Sequence, residues 1–219
     1  MLFLKILLYP ISFVRKKINL FKQEERENKI RAKYGNLTKY SLKDPNITAG
    51  DFSYGIPNIS LYTDKPYKVS IGRFCSISNN VEIIIGGNHN YRNVSSYSLI
   101  PQVQEIFPDI KHPDKPVKNV VIGNDVWIAK NVTILQGVTI GDGAVIGTNS
   151  VVAKDIPPYA IAIGNPIKII KYRFNEHQIE ALLRIKWWDW PLDILKERMK
   201  EIINEDIDGF IAKYDPREA

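Results

Sequence analysis

VVIGNDVWIAKNVTILQGVTIGDGAVIGTNSVVAKDI, residues 120–156, carries an aliphatic side chain at every sixth position: Ile122, Ile128, Ile134, Ile140, Ile146 and Val152. The residue after each is Gly or Ala (Gly123, Ala129, Gly141, Gly147, Ala153), with Leu135 as the exception. Four positions after each aliphatic comes a small or β-branched residue: Val126, Val132, Val138, Ala144 and Ser150. A period of six matches neither a 3.6-residue helix, in which such residues drift by about 600°, nor the two-residue alternation of a simple strand. It matches a solenoid whose flat sides are six residues long, with three sides to a coil of about 18 residues and the aliphatics stacked inside. The small residue is expected near the tight corner.

An earlier run obeys the same rule at Ile71-Gly72, Ile77-Ser78 and Ile83, with Cys75 and Val81 in the small slot. Between the two runs, residues 88–117 break the period. They hold Tyr91, Arg92, Tyr97, Pro101, Phe107, Pro108, Pro113 and Pro116. A coil accommodates such an insertion where the chain leaves at a corner, and loops of this kind commonly carry function. Downstream, Pro157, Pro158 and Pro166 end the repeats. Asn175 with Gln178 predicts a capping-box start for a helix to about Trp188, and Pro191 opens a second helix to about Ile203. The expected organisation is a helical arm (1–44), a solenoid domain (45–173) with the loop insertion, and a helical cap (174–219).

In motif content and order the chain resembles the hexapeptide-repeat acyltransferases, and within them the xenobiotic acetyltransferase branch. That branch includes streptogramin and chloramphenicol acetyltransferases and related sugar O-acetyltransferases. The stretches that carry the resemblance are IGRFCSIS (71–78), GGNHN (86–90), SSYSL (95–99), residues 120–166 and IKWWDW (185–190). It implies a left-handed parallel β-helix, a predominantly all-β fold with a protruding loop and C-terminal capping helices. It also implies acetyl-CoA as acyl donor, no metal, and a homotrimer whose cofactor groove lies between adjacent coils.

Acetyl transfer to a hydroxyl needs a base, an oxyanion donor and a slot for the thioester. His89 follows Gly86, Gly87 and Asn88 at the mouth of the loop, where an imidazole can accept a proton near neutral pH. The resemblance places the catalytic histidine in this motif. His112 and His177 read as solvated surface residues, and Cys75 as a small buried residue of the corner series rather than a nucleophile. The resemblance assigns the cofactor groove to Trp127, Ala129, Lys130, Thr148, Ala153 and Lys154, with a backbone N–H steadying the oxyanion. Lys154, Lys168, Lys171 and Arg173 are candidate phosphate partners. Tyr54, Asn88 and Tyr97 are candidate acceptor contacts, and the Trp187-Trp188-Asp189-Trp190 cluster reads as packing.

One cysteine and three histidines exclude a disulfide framework and the Cys-rich zinc motifs, and point to a reduced cytosol. The net charge of +6 is concentrated in the arm: residues 1–45 carry eleven Lys or Arg against four acidic residues. No nucleic-acid-binding motif accompanies them. Residues 1–14, MLFLKILLYPISFV, are too short for a spanning helix and lack the marks of a signal peptide. With Arg15, Lys16 and Lys17 behind them, residues 1–20 suit either packing on the protein or peripheral contact with the inner face of a membrane. That arm favours a sugar of surface polysaccharide or lipopolysaccharide as first expectation for the acceptor, with an antibiotic as the alternative. A hexapeptide carbonic anhydrase and a non-catalytic scaffold are lesser rivals.

Overall fold

The computed structural model describes residues 44–55, 57–97, 105–109 and 116–217. The arm, His112 and most of the loop after Tyr97 lie outside these residues, as do the expectations attached to them. Among the described residues thirteen strands, numbered in chain order, form three sheets that wrap a left-handed parallel β-helix. The first face holds β1 (Ile47–Ala49), β3 (Val69–Ile71), β6 (Val120–Ile122) and β9 (Thr139–Ile140). The second holds β4 (Ser76–Ile77), β7 (Trp127–Ile128), β10 (Val145–Ile146), β12 (Ala160–Ile163) and the antiparallel β13 (Lys168–Tyr172). The third holds β2 (Asn58–Tyr62), β5 (Glu82–Gly86), β8 (Thr133–Leu135) and β11 (Val151–Val152).

Registers follow the repeat. Ile122 pairs with Ile140, Ile128 with Ile146 and Ile134 with Val152. Side chains one coil apart, such as Asn131 and Asn149, are 18 residues apart in sequence. Where the loop intervenes, the neighbour is 51 residues away, as in the bond between Asn80 and Asn131. The six aliphatics of the decisive stretch are all 2% exposed or less and form the central column. Burying each contributes at most about 1.5–3 kcal/mol, measured against an extended unfolded chain.

The small residues do not themselves make the corners. They point into the core one step later, and the residue before each takes the left-handed turn. Asn80, Asp125, Asn131, Gly137, Gly143 and Asn149 all have φ between 53° and 85°. Asn, Asp and Gly tolerate this region because a short polar side chain, or none, avoids the clash with the backbone. Asn80, Asn131 and Asn149 also bond side chain to side chain in a column up one corner. Up another corner, Asp142 accepts from the Asn124 backbone and side chain, and Asn124 accepts from the Arg73 N–H.

Three corner residues, Phe52, Phe74 and Tyr159, depart from that pattern. All three have positive φ but are aromatic, and Phe74 and Tyr159 face the C-terminal helices. Those helices are α1 (Glu176–Ile185), α2 (Leu192–Ile202) and α3 (Ile207–Tyr214), with a 3₁₀ turn at Trp187–Asp189. The Asn175–Gln178 capping box forms as expected. The first helix stops at Ile185, short of the expected Trp188, because Lys186 turns left-handed. The third helix has no counterpart in the sequence reading. Phe74 stacks on Phe52 at 4.9 Å and meets Trp187 at 4.8 Å, joining coil to helices. Trp188 is 1% exposed, so the tryptophan cluster does pack.

Arg173 fastens the same corner. Its Nη1 donates to Asp125 at 2.9 Å and to the Gly143 carbonyl at 2.8 Å, and its guanidinium lies over the Tyr159 and Phe174 rings. Burial raises the Asp125 carboxyl above its ordinary proton affinity, outweighing the favourable charge of Arg173. A second clamp joins α1 to the end of α3: Arg184 donates through Nε and Nη2 to both oxygens of buried Asp215, at 3.1 and 2.6 Å. This pairing holds the Asp215 carboxyl below its ordinary value.

Two stability predictions follow the packing. Ile134→Ala, which opens a gap at the middle of the column, is expected to cost about 2–5 kcal/mol in denaturant unfolding. Arg184→Met is expected to destabilise the helical region by stranding Asp215. Because the folded carboxyl titrates lower than the unfolded one, the wild-type advantage is present above an unfolded value near 3.8 and fades as pH falls through the lower folded value. Paired melting curves from neutral to acid pH check this; a gap that widens on acidification contradicts it.

Candidate active site

The third face ends where the chain leaves the coil. Gly86 closes β5 with φ +81, and Gly87 follows with φ +75. A Cβ at Gly86 would stand 2.8 Å from the Tyr62 carbonyl oxygen, and one at Gly87 would stand 3.3 Å from the Tyr62 ring. Two glycines in succession let the chain turn outward against Tyr62 and deliver Asn88 and His89 to the surface.

The loop then folds back. The Asn90 amide bonds to Asn93 at 2.7 Å, and the Tyr97 N–H donates to Ser95 Oγ at 3.1 Å. His89 Nδ1 lies 2.8 Å from the Ser96 carbonyl oxygen. A carbonyl oxygen only accepts, so Nδ1 carries the proton in the neutral ring and Nε2 keeps a lone pair. The ring is exposed. One side of the imidazole is therefore held by the loop, and the other is free to act as an acceptor. Asn88 and Tyr97 are likewise exposed in this loop. Tyr62 and the Ser96 carbonyl escaped sequence reasoning: Tyr62 looks like an ordinary strand residue, and a carbonyl leaves no trace in residue identity.

The expected cofactor positions lie on the two corners that border the third face. Lys130 and Thr148 stand at the corner between second and third faces; Ala153 and Lys154 stand between third and first, the corner from which the His89 loop departs. All four are exposed. The Ala129 N–H donates to the Ile146 carbonyl, and the Lys130 carbonyl accepts from Asn149, so both serve the coil. Trp127 projects outward from the second face, 55% exposed. Among the phosphate candidates, Lys154, Lys168 and Lys171 are exposed, whereas Arg173 is engaged by Asp125 and Gly143.

Tyr54 lies elsewhere. It bridges to Ser76, which pairs with Trp127, and so belongs to the second face. There it lines a cavity of about 570 Å³ with Phe52, Phe74, Trp187 and Phe210. One chain thus sets His89, Asn88 and Tyr97 on one loop and Tyr54 on another face. Cys75 is fully buried, and its thiol donates to the Gly123 carbonyl at 3.0 Å. Burial pushes its pKa up to about 11, which leaves it unreactive at neutral pH. Among the described residues no set of three or more His, Cys, Asp or Glu side chains is placed to hold a metal ion. None of the described helices is long and apolar enough to cross a membrane.

Residues 119–154 match the family described as bacterial transferase hexapeptide (six repeats). The chain is 37% identical over 195 residues to a chloramphenicol acetyltransferase of Klebsiella aerogenes, covering 82% of this chain and 92% of the relative. It is 37% identical over 183 residues to a virginiamycin A acetyltransferase of Staphylococcus aureus, covering 78% and 83%. A hexapeptide-repeat acetyltransferase of Vibrio cholerae solved with acetyl coenzyme A is 27% identical, with a TM-score of 0.43 over 59% of this chain and 62% of that one. The chain belongs to the hexapeptide-repeat xenobiotic acetyltransferase family and is an acetyltransferase.

The glycine pair yields a prediction. Gly86→Ala would force an L side chain into the left-handed region against the Tyr62 carbonyl, costing about 1–2 kcal/mol from backbone strain alone. Denaturant unfolding measures this loss, and acetyl transfer is expected to fall with it.

Proposed function

We propose that this acetyltransferase moves an acetyl group from acetyl-CoA to a hydroxyl of a small antibiotic-like acceptor, with His89 as general base. The observation that carries the reading is the Nδ1 contact to Ser96, which orients the imidazole and leaves Nε2 facing solvent as a proton acceptor. Nε2 takes the acceptor hydroxyl proton as the oxygen attacks the thioester carbonyl. The C–O bond forms, the C–S bond breaks, and the imidazolium returns the proton to the departing sulfur. The acetyl donor would rest on the third face, between Lys130 and Thr148 on one side and Ala153 and Lys154 on the other. Ala129 would shape the corner there, and Trp127, on the second face, would wall the site of an adjacent copy. Exposed Lys154, Lys168 and Lys171 supply positive charge suited to the donor's phosphates.

The relatives favour an antibiotic over a surface-polysaccharide sugar. Those named for chloramphenicol and virginiamycin align at 37% identity, whereas a galactoside O-acetyltransferase of Escherichia coli aligns at 32% over 178 residues. The basic N-terminal arm, which prompted the polysaccharide expectation, lies outside the described residues. A homotrimer completes the proposal: Tyr54 and Trp127 stand exposed on a flat second face, suited to facing the His89 loop of an adjacent copy.

The test is thiol release from acetyl-CoA with chloramphenicol, a streptogramin, a macrolide and a galactoside as acceptors, run alongside sedimentation. An antibiotic is expected to be turned over by a trimer, with kcat falling about 10²–10⁴-fold in His89→Ala. Turnover of the galactoside alone would overturn the acceptor class, and a fully active His89→Ala would overturn the base.

A further inference from the structure

At Leu135-Gln136 the repeat loses the Gly or Ala that follows the aliphatic at the other five positions of the decisive stretch. The replacement has a structural consequence. β5 and β8 pair as Glu82 with Thr133, Ile83 with Ile134 and Ile84 with Leu135. Beyond that register the Gln136 side chain takes over from the backbone. Its Oε1 accepts the Gly86 N–H at 3.1 Å and, more weakly, the Lys118 N–H at 3.4 Å. Gly86 is the last residue of the outgoing strand, and Lys118 stands two residues before β6 begins. One carbonyl oxygen, using both its lone pairs, therefore ties the departing stem of the His89 loop to the returning stem.

We propose that Gln136 is a positioning residue for the transfer reaction, acting through the loop stems to fix His89 over the third face. The inference rests on the reading of His89 as base. His89 lies three residues beyond Gly86, and its ring is anchored to Ser96 within the same loop. Residues 86–97 carry the base, and their stem at Gly86 sets where it sits relative to the coil. Losing the tie lets the stem pair part and the base drift, whereas the donor positions on the coil corners keep their places. The effect should fall on kcat rather than on the KM for acetyl-CoA, since a misplacement of about 1 Å is enough to slow a positioned reaction severely.

Gln136→Met keeps length and bulk and removes the acceptor; Gln136→Glu keeps an oxygen that accepts both N–H groups, more strongly for its charge. In the full-length protein, amide hydrogen exchange at Gly86 is expected to speed up about tenfold in Gln136→Met and to stay slow in Gln136→Glu. kcat is expected to fall about tenfold in Gln136→Met, with the KM for acetyl-CoA unchanged and most turnover restored in Gln136→Glu. Unchanged Gly86 exchange in Gln136→Met overturns the tie. Faster exchange with undiminished kcat overturns the positioning role, as does a Gln136→Glu variant as impaired as Gln136→Met. The exchange readout does not depend on the identity of the base, so an active His89→Ala variant would remove the base assignment and the positioning role that rests on it, and leave the tie itself standing.

Discussion

The structure depends on a steric bargain made at each corner of the coil. An aliphatic can stack on the aliphatic 18 residues away only if every side is the same length, and equal sides require the chain to turn sharply at the same place each time. The turn is made by a residue with a left-handed backbone, followed by a small one that fits inside. Asn80, Asn131 and Asn149 make the turn at one corner and also bond to one another along it, while Val81, Val132 and Ser150 fit inside. The column from Ile122 to Val152 and the corner residues are thus a single constraint. Lengthening any side by one residue would flip its buried set outward, as a register slip does in any strand.

The corner between first and second faces shows what happens when this constraint is used for something else. Phe74 and Tyr159 accept the strained backbone at positions where Asn, Asp or Gly would be easier. Their rings supply the surface on which Trp187, Leu182 and Phe210 pack. Asp125 at the same corner is short enough for the turn, but burial leaves its charge in need of Arg173 from the far side of the β12–β13 hairpin. The helices are therefore attached by aromatic packing and one partly buried ion pair, while the coil below is held by its own period.

Legibility in the sequence follows the same division. The coil could be read because period six is carried by residue types that neither helix nor strand alternation reproduces. The capping box at Asn175 was legible because two side chains and their spacing define it. The left-handed end at Lys186 was not, because no glycine or asparagine marks it and the neighbouring Trp187 and Trp188 read as continued helix. The seat of the helices was hidden because Phe74 and Tyr159 look like unremarkable aromatics until the fold puts them on one edge. Of the proposed site, the outward placement of His89 was legible from its Gly-rich setting. Its orientation was not, since the Ser96 carbonyl that sets it belongs to the backbone.

A triangular coil also limits what one chain can assemble. Side chains on one face diverge from those on the next, so residues on different faces cannot converge on a single small molecule. His89 leaves from the corner between third and first faces, and Tyr54 and Trp127 project from the second. The loop relieves this limit only in part, because its stems are tied at Gly86 and Lys118 to one corner. A site that needs both the base and the second face must therefore take them from two copies. On this argument the trimer proposed above would follow from shape: three prisms with their faces apposed would give each histidine the wall that its own chain directs elsewhere.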